Sequence, residues 1–570
     1  MEASSQPQSE DPRGRSIPWT LPAAAVLSAA LLELPFPIAG PMPPWRSIFA
    51  WFGLVPLLWA VLSPACARRP RPLRTAFLVA YLSGVLWYAG NCYWIYNTML
   101  HYGSLPPFVC ALLLIGFSLV LGLYWGLFGA GIALVQKKTG STRLALVFAP
   151  VLWTALELAA ARITSVPWDQ LGYSQVDNLL AVLVGPWAGV YGISFILVVA
   201  NAALVGLFSR KDFSRCPRTV NTLLIVQCSI ACIALVVAGL TGVKSLQSLR
   251  DAPTSAMAVL IQPNLDVANT GYWLAPGEWS SHINQFTQLA EQDCKSYIAG
   301  IPQTGAPTVT PSCPQQPAHP DLVAWPEAPA PFIESDPRFQ QAMPQIARTI
   351  HAPLIVNGVG SQFTASEGWR DYVSAMIYNA NGDQIGRYDK IHLVPFGEYI
   401  PFARLLFFAH KLTGKVASFT PGAMRKVFHI DGSDGQTHRY GVFICYEAVF
   451  ADEVRQFARL GAQVLVNLSD DGWYGDTSAP WQHLNMARMR AIENRRWLLR
   501  DTNTGVTAVI DPYGAVRQSI PRHQVDALPA RFGFRDDITF YTAHGDVFGW
   551  VCVILAIGAV GWCLRAGLRQ

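Results

Sequence analysis

Charge is scarce in this chain. Asp, Glu, Lys and Arg make up 14% of its 570 residues, against roughly 25% in an ordinary soluble protein. Apolar residues reach 51%, with 19 Trp, and mean hydropathy is positive at +0.27. That balance excludes a disordered chain and fits a soluble globule poorly. Net charge is only +5 and there is no long basic run, so a nucleic-acid partner is not expected. The sequence also lacks a Gly-rich phosphate loop, a nucleotide fingerprint and a metal-spaced Cys/His cluster, and no cofactor is inferred.

What is present is a crowd of long apolar stretches in the first 245 residues and one more at the end. Spans are expected at about 21–39, 47–66, 75–97, 107–135, 144–161, 179–208, 220–241 and 547–564, each near the roughly 20 residues a bilayer requires. The first is the weakest, because Glu33, Pro35 and Pro37 interrupt it; a signal peptide is its rival, but no clear cleavage site follows. Basic residues fall in every second connection. Arg13 and Arg15 precede the first span; Arg68, Arg69, Arg71 and Arg74 follow the second. Lys137, Lys138 and Arg143 follow the fourth, Arg210, Lys211, Arg215 and Arg218 the sixth, and Arg565 and Arg569 the last. This alternation predicts both termini on the cytoplasmic side and residues 242–546 on the other. Glu157, at membrane depth near Arg162, reads equally as a functional carboxylate or an internally paired one.

The expected domains are therefore 1–241 (seven helices), 242–546, and a last helix within 547–570. In the middle region β-rich runs recur at Met257–Gln262, Asp321–Trp325, Pro353–Val359, Ser374–Tyr378, Gln384–Tyr388, Arg439–Cys445, Gln463–Leu468 and Thr507–Ile510. Helical patterns at about 277–295, 337–350, 449–460 and 480–495 fall between several of them, which argues for an α/β domain. Asn381-Gly382 marks a hairpin. Residues 296–320, with six Pro, read as a surface insertion. Of eleven cysteines only Cys294, Cys313 and Cys445 lie in this region. Cys294 and Cys313 flank the insertion and are expected to pair, which would leave Cys445 as a free thiol or a buried structural one.

Three segments could carry chemistry: a strand ending in Trp325-Pro326-Glu327, the run Tyr388 to Tyr399, and a strand ending in Cys445-Tyr446-Glu447. A cysteine nucleophile needs a base and a nearby positive charge. Glu327 could be that base, Lys390 could steady the thiolate and then an oxyanion, and Glu398 could orient the ammonium group. Each residue alone also reads as an ordinary surface Glu, solvated Lys or buried Cys.

Taken together, Trp325-Pro326-Glu327, Lys390 and Cys445-Tyr446-Glu447 resemble the Glu–Lys–Cys triad of the nitrilase (carbon–nitrogen hydrolase) superfamily, in that chain order. The run His392–Pro401, the segment from Trp481-Gln482-His483 through Met486 to Ala491, Thr502–Ala508, and Pro167-Trp168 with Gly172–Gln175 resemble more narrowly the apolipoprotein N-acyltransferase family. The resemblance covers nearly the whole chain. It implies an αββα sandwich domain beside the membrane helices, in a bacterial inner membrane, with the sandwich facing the periplasm.

It also implies a ping-pong reaction. Glu327 deprotonates Cys445, whose sulfur takes the sn-1 acyl chain of a phospholipid as a thioester. The α-amine of an apolipoprotein's diacylglyceryl-cysteine then accepts it. Glu398 would support Lys390; Trp273, Phe396, Tyr446, Glu447 and Trp473 would surround the substrates, although the aromatics read equally as core packing. A monomer is expected. Residues 396–412, rich in Phe and Leu, could dip into the bilayer surface as a lid. Asp470-Asp471 departs from an Asn-Asp pair expected in relatives. Rival readings are a membrane-tethered amidase that passes the acyl group to water, a transporter or receptor, and an inactive scaffold.

Overall fold

The computed structural model describes residues 17–208, 254–267, 277–291, 320–327, 332–365, 368–399 and 419–566, with isolated positions between 222 and 233 and at 298–299. The expected span 220–241, the Cys294–Cys313 pair, Trp273 and most of the 296–320 insertion and the 396–412 lid lie outside the described residues.

Among the described residues, five helical segments are long and apolar enough to cross a membrane: Pro44–Ala67, Pro107–Thr139, Thr142–Ile163, Leu179–Leu207 and Val547–Arg565. Two further expected spans differ for visible reasons. The first is a helix of 14 residues, Thr20–Glu33, that stops just before Pro35 and Pro37. The third divides into Pro72–Asn91 and Trp94–His101. Pro72–Asn91 carries Arg74, Ser83, Gly84 and Asn91, and it packs most closely on Pro107–Thr139. There Gly122, Gly126 and Gly129 leave room for Val85, Phe77 and Ala80, so the two backbones approach where any Cβ would collide. In Leu179–Phe208, Gly189 adopts φ +61 and ψ −163 and kinks the helix around the Tyr541 ring.

Glu157 is internally bonded: Trp153 Nε1 and Leu171 N each donate to its Oε1 at 2.9 Å. Arg162 instead meets Asp546 and Asp452, which tie the end of its helix to the second half of the chain.

That half is a two-sheet sandwich. One sheet has the order Asp526–Phe532, Ala256–Gln262, Leu322–Ala324, Leu354–Thr364, Gly368–Tyr378, Gln384–Asp389. The other runs Ile298–Ala299, Val516–Ser519, Ala508–Ile510, Trp497–Thr502, Val464–Ser469, Thr437–Ile444, Val427–Asp431. Alternate residues of the inner strands enter different cores. Ala258, Leu260, Leu322 and Ala324 join the cluster that includes Val442 and Ile444 of the facing sheet. Val259, Ile261, Val323 and Trp325 join the cluster under the helices Glu278–Glu291 and Pro337–Ile350. Burial on both faces explains why these strands read as continuous apolar runs. The helix Ala479–Asn494 is buried along its whole length, with the second sheet on one side and the membrane helices on the other.

Candidate functional site

Strand ends bring the chemistry together. Glu327 lies three residues past Leu322–Ala324, Lys390 follows Gln384–Asp389, and Cys445 follows Thr437–Ile444. Lys390 is fully buried. Its Nζ lies 3.1 Å from Glu327 Oε1 and 2.6 Å from Glu398 Oε1. The second oxygen of each carboxylate is also held: Glu327 Oε2 accepts from Asp470 N at 3.1 Å, and Glu398 Oε2 from Val394 N at 2.8 Å. Burial opposes the charge on Lys390, but Glu327 and Glu398 outweigh it and hold the pKa well above the usual lysine range. Burial also raises Glu398 despite Lys390.

Cys445 is buried and takes φ +49, a left-handed conformation uncommon outside glycine, at the turn from strand into the short 3-10 segment Cys445–Val449. Burial and the neighbouring Glu327 charge push its thiol pKa well up, with Lys390 opposing. Cys445 therefore rests as a thiol, and a base would be needed for its sulfur to act as a nucleophile.

The remaining sequence candidates fall around this centre. Glu447 is buried, and its carboxylate accepts from Ile444 N (2.7 Å), Ile391 N (2.7 Å), His392 N (3.2 Å) and Tyr388 Oη (2.8 Å). It thus fastens the Cys445 turn to the segment after Lys390. Tyr446 is half-buried, with its ring edge-on to Phe450. Phe396 is exposed, at φ +63. Trp473 is exposed and meets Tyr102 of the membrane half at 5.8 Å. A polar cleft of about 540 Å³ opens beside it, lined among others by His101, Tyr102, Asp266, Asp476 and Arg522. Asp470, the departure from the expected Asn, accepts from Gly472 N and Asn503 Nδ2 through its two oxygens.

Sequence reasoning assigned no role to the residues beneath Cys445. His483 Nε2 lies 3.1 Å from Cys445 O, and its Nδ1 lies 2.8 Å from Asp471 Oδ1; Arg500 donates to Asp471 Oδ2 at 2.7 Å. The available signal was the composition of Ala479–Asn494, whose polar and charged residues are spread over every side and leave no apolar stripe.

A two-sheet sandwich with a buried cysteine, lysine and paired glutamates, set against membrane helices, defines a membrane-bound carbon–nitrogen hydrolase type of protein. Residues 285–524 match the carbon–nitrogen hydrolase family model, and residues 17–203 match the apolipoprotein N-acyltransferase N-terminal domain. An apolipoprotein N-acyltransferase of Geobacter metallireducens is 34% identical over 537 residues, 93% of this chain and 92% of that one. Another, of Chlorobaculum tepidum, is 28% identical over 95% of each. A solved nitrilase-superfamily structure from Saccharomyces cerevisiae aligns at 17% identity and a TM-score of 0.32, over 49% of this chain and 90% of that one. The chain belongs to the apolipoprotein N-acyltransferase family, and by that membership is an acyltransferase of lipoprotein biosynthesis with membrane helices.

Proposed function

We propose that this chain moves the sn-1 acyl chain of a phospholipid to the α-amine of a diacylglyceryl-cysteine on an apolipoprotein, through a thioester on Cys445. The observation that carries the reading is the Lys390 ammonium held between the Glu327 and Glu398 carboxylates, at the strand ends where Cys445 also sits. In the first half-reaction Glu327 takes the thiol proton as Sγ attacks the ester carbonyl. The new oxyanion is stabilised by the Lys390 ammonium. Collapse breaks the C–O bond, Glu327 returns the proton to the glycerol oxygen, and lysophospholipid leaves. In the second half the amine nitrogen attacks the thioester carbon and the C–S bond breaks. The amine proton passes through Glu327 to the departing sulfur.

The proposed layout is a membrane part at 1–241, a catalytic part at 242–546 facing the periplasm, and a closing helix at 547–570, with both termini cytoplasmic and the protein a monomer. The placement of Arg and Lys in alternate connections supports that orientation. Trp473, Phe396 and Tyr446 are assigned to the substrate approach, supported by the first two being exposed large aromatics close to the polar cleft and the Lys390 segment. Donor and acceptor are both lipids, so a membrane-bound enzyme avoids an extraction cost of roughly 0.8 kcal/mol per CH₂.

The test is the intact mass of purified protein after incubation with phospholipid, beside Cys445→Ala. An adduct of one acyl chain, released by hydroxylamine, absent from the variant and discharged by an amine acceptor, is expected. Discharge to water alone would indicate an amidase. Normal acylation by Cys445→Ala would overturn the mechanism.

A further inference from the structure

Two adjacent buried residues, Gln482 and His483, point in different directions from the Ala479–Asn494 helix. Gln482 reads the membrane half: its Oε1 accepts from Trp168 Nε1 at 2.9 Å, and its Nε2 donates to Asn91 O at 3.0 Å and reaches Pro37 O at 3.3 Å. Asn91 is itself fixed by donating to Asp169 Oδ2 at 2.9 Å. One residue on, His483 reaches the carbonyl of Cys445.

Acceptors face both ring nitrogens of His483, Cys445 O at Nε2 and Asp471 Oδ1 at Nδ1, and a ring protonated at Nε2 donates to the Cys445 carbonyl. Such a ring has two states. A neutral imidazole would accept at Nδ1 from Arg500 Nη2, 3.2 Å away, and an imidazolium would donate there to Asp471. The donor facing Cys445 is thus independent of the Nδ1 proton, which suits a positioning group rather than an acid or base. What it holds needs holding: Cys445 is a non-glycine residue at φ +49, a conformation that persists only when its surroundings over-determine it.

We propose that Gln482 and His483 form a lever by which the packing of the membrane helices sets the backbone of the nucleophile. Both are positioning residues for acyl transfer, and the inference rests on the acyl-transfer reading above. On this view the nucleophile is incompletely placed unless the segments carrying Pro37, Asn91 and Trp168 are in register.

The test uses the full-length protein in lipid nanodiscs and three variants: His483→Leu, His483→Gln and Gln482→Leu. Two rates are followed, acyl-adduct formation from phospholipid and alkylation of Cys445 by iodoacetamide, the latter read on the Cys445 peptide. His483→Leu and Gln482→Leu are each expected to slow acyl-adduct formation by about tenfold to a hundredfold, the scale of a small misplacement of a reacting group, with little change in the KM for lipid. Both should also change the alkylation rate. His483→Gln, whose amide can donate to the same carbonyl, should recover most of the loss.

A folded His483→Leu protein that acylates like the wild type, or a Gln variant no better than the Leu variant, overturns the proposal. Should His483→Leu fail to fold, Gln482→Leu decides, since it does not touch Cys445; unchanged alkylation of Cys445 there refutes the lever. Alkylation requires no lipid. A wild-type protein that never forms an acyl adduct would therefore refute the acyl-transfer reading while leaving the alkylation comparison valid.

Discussion

Arg490 Nη2 donates to Glu493 Oε1 at 3.0 Å, one turn along the same helix, where neither side chain is exposed to solvent. Each also reaches outward. Arg490 donates to Tyr173 Oη at 3.0 Å and Val449 O at 3.2 Å, and Glu493 Oε1 accepts from Val190 N at 3.2 Å. The pair therefore joins the membrane helices to the turn after Cys445.

Replacing Arg490 by Met would leave a buried carboxylate without its cation, and removing one partner of such a pair typically costs about 3–5 kcal/mol. The expected outcome is a clear drop in the thermal midpoint of the purified protein, with Glu493→Gln losing less because an amide can still accept from Val190. Equal midpoints for Arg490→Met and wild type would mean that the pair contributes nothing to cohesion between the halves.

How far the sequence announced this arrangement depends on the kind of residue. The apolar runs at 107–135, 144–161 and 547–564 each became a single long helix, and 179–208 became two helical stretches joined at the Gly189 kink, because hydropathy and length decide that such segments are helical. The helix at 337–350 was legible from its period, with Phe339, Met343, Ile346 and Ala347 on one buried face. Trp497–Thr502 was not, since Arg500 and Asp501 interrupt its apolar pattern, and Arg500 is made tolerable by its buried partners Asn467 and Asp471 elsewhere in the chain. Asp526–Phe532 was hidden by Pro529, which pairs opposite Val259 at the sheet edge, where a missing N–H costs no ladder bond. Glu327, Lys390 and Cys445 could be singled out because each closes or follows a strand. The Gln482–Asn91 contact could not, because nothing local in either segment encodes a bond across 391 positions.

Glu447 gives a second prediction, about a carboxylate whose work is local. Glu447→Ala would strip the acceptor from three backbone N–H groups and a buried tyrosine hydroxyl at once. Unsatisfied buried donors cost about 1–3 kcal/mol each, so a loss of more than about 3 kcal/mol is expected even if water fills part of the gap. Hydrogen exchange would show it first, as faster exchange at Ile391, His392 and Ile444. Unchanged protection at those amides would refute the role.

The two glutamates on Lys390 separate in a third experiment. Glu327 is the proposed base, so Glu327→Gln should lower the rate of acyl-adduct formation by about 10²- to 10⁴-fold, the usual contribution of a general base. Glu398→Gln removes only one of the two carboxylates on the ammonium, which stays paired with Glu327. Its loss should be smaller, about tenfold to a hundredfold, as for a group that orients rather than transfers protons. Rapid-quench intact mass measures both rates. If Glu398→Gln were the more damaging change, the assignment of base and support would have to be exchanged.

The last prediction concerns acid. Glu453, on the helix Ala451–Arg459, accepts from Arg425 Nε at 2.7 Å through Oε2, and its Oε1 lies 3.3 Å from His392 Nε2. It thereby fastens the segment after Lys390, which supplies two of the N–H groups bound by Glu447. Burial alone would raise its pKa, but the bonds from His392 and Arg425 win and bring it down to about 2, from about 4.5. A carboxylate with a depressed pKa in the folded state stabilises that state above its unfolded pKa, and this stabilisation is lost as pH falls through the folded value. The wild type should therefore be more stable than Glu453→Gln at pH 7, with the gap narrowing below about pH 4.5 and closing near pH 2. Thermal midpoints across that range test it. A gap that stayed constant on acidification would show that the glutamate contributes shape rather than charge, and that the segment after Lys390 is held in place by something other than this carboxylate.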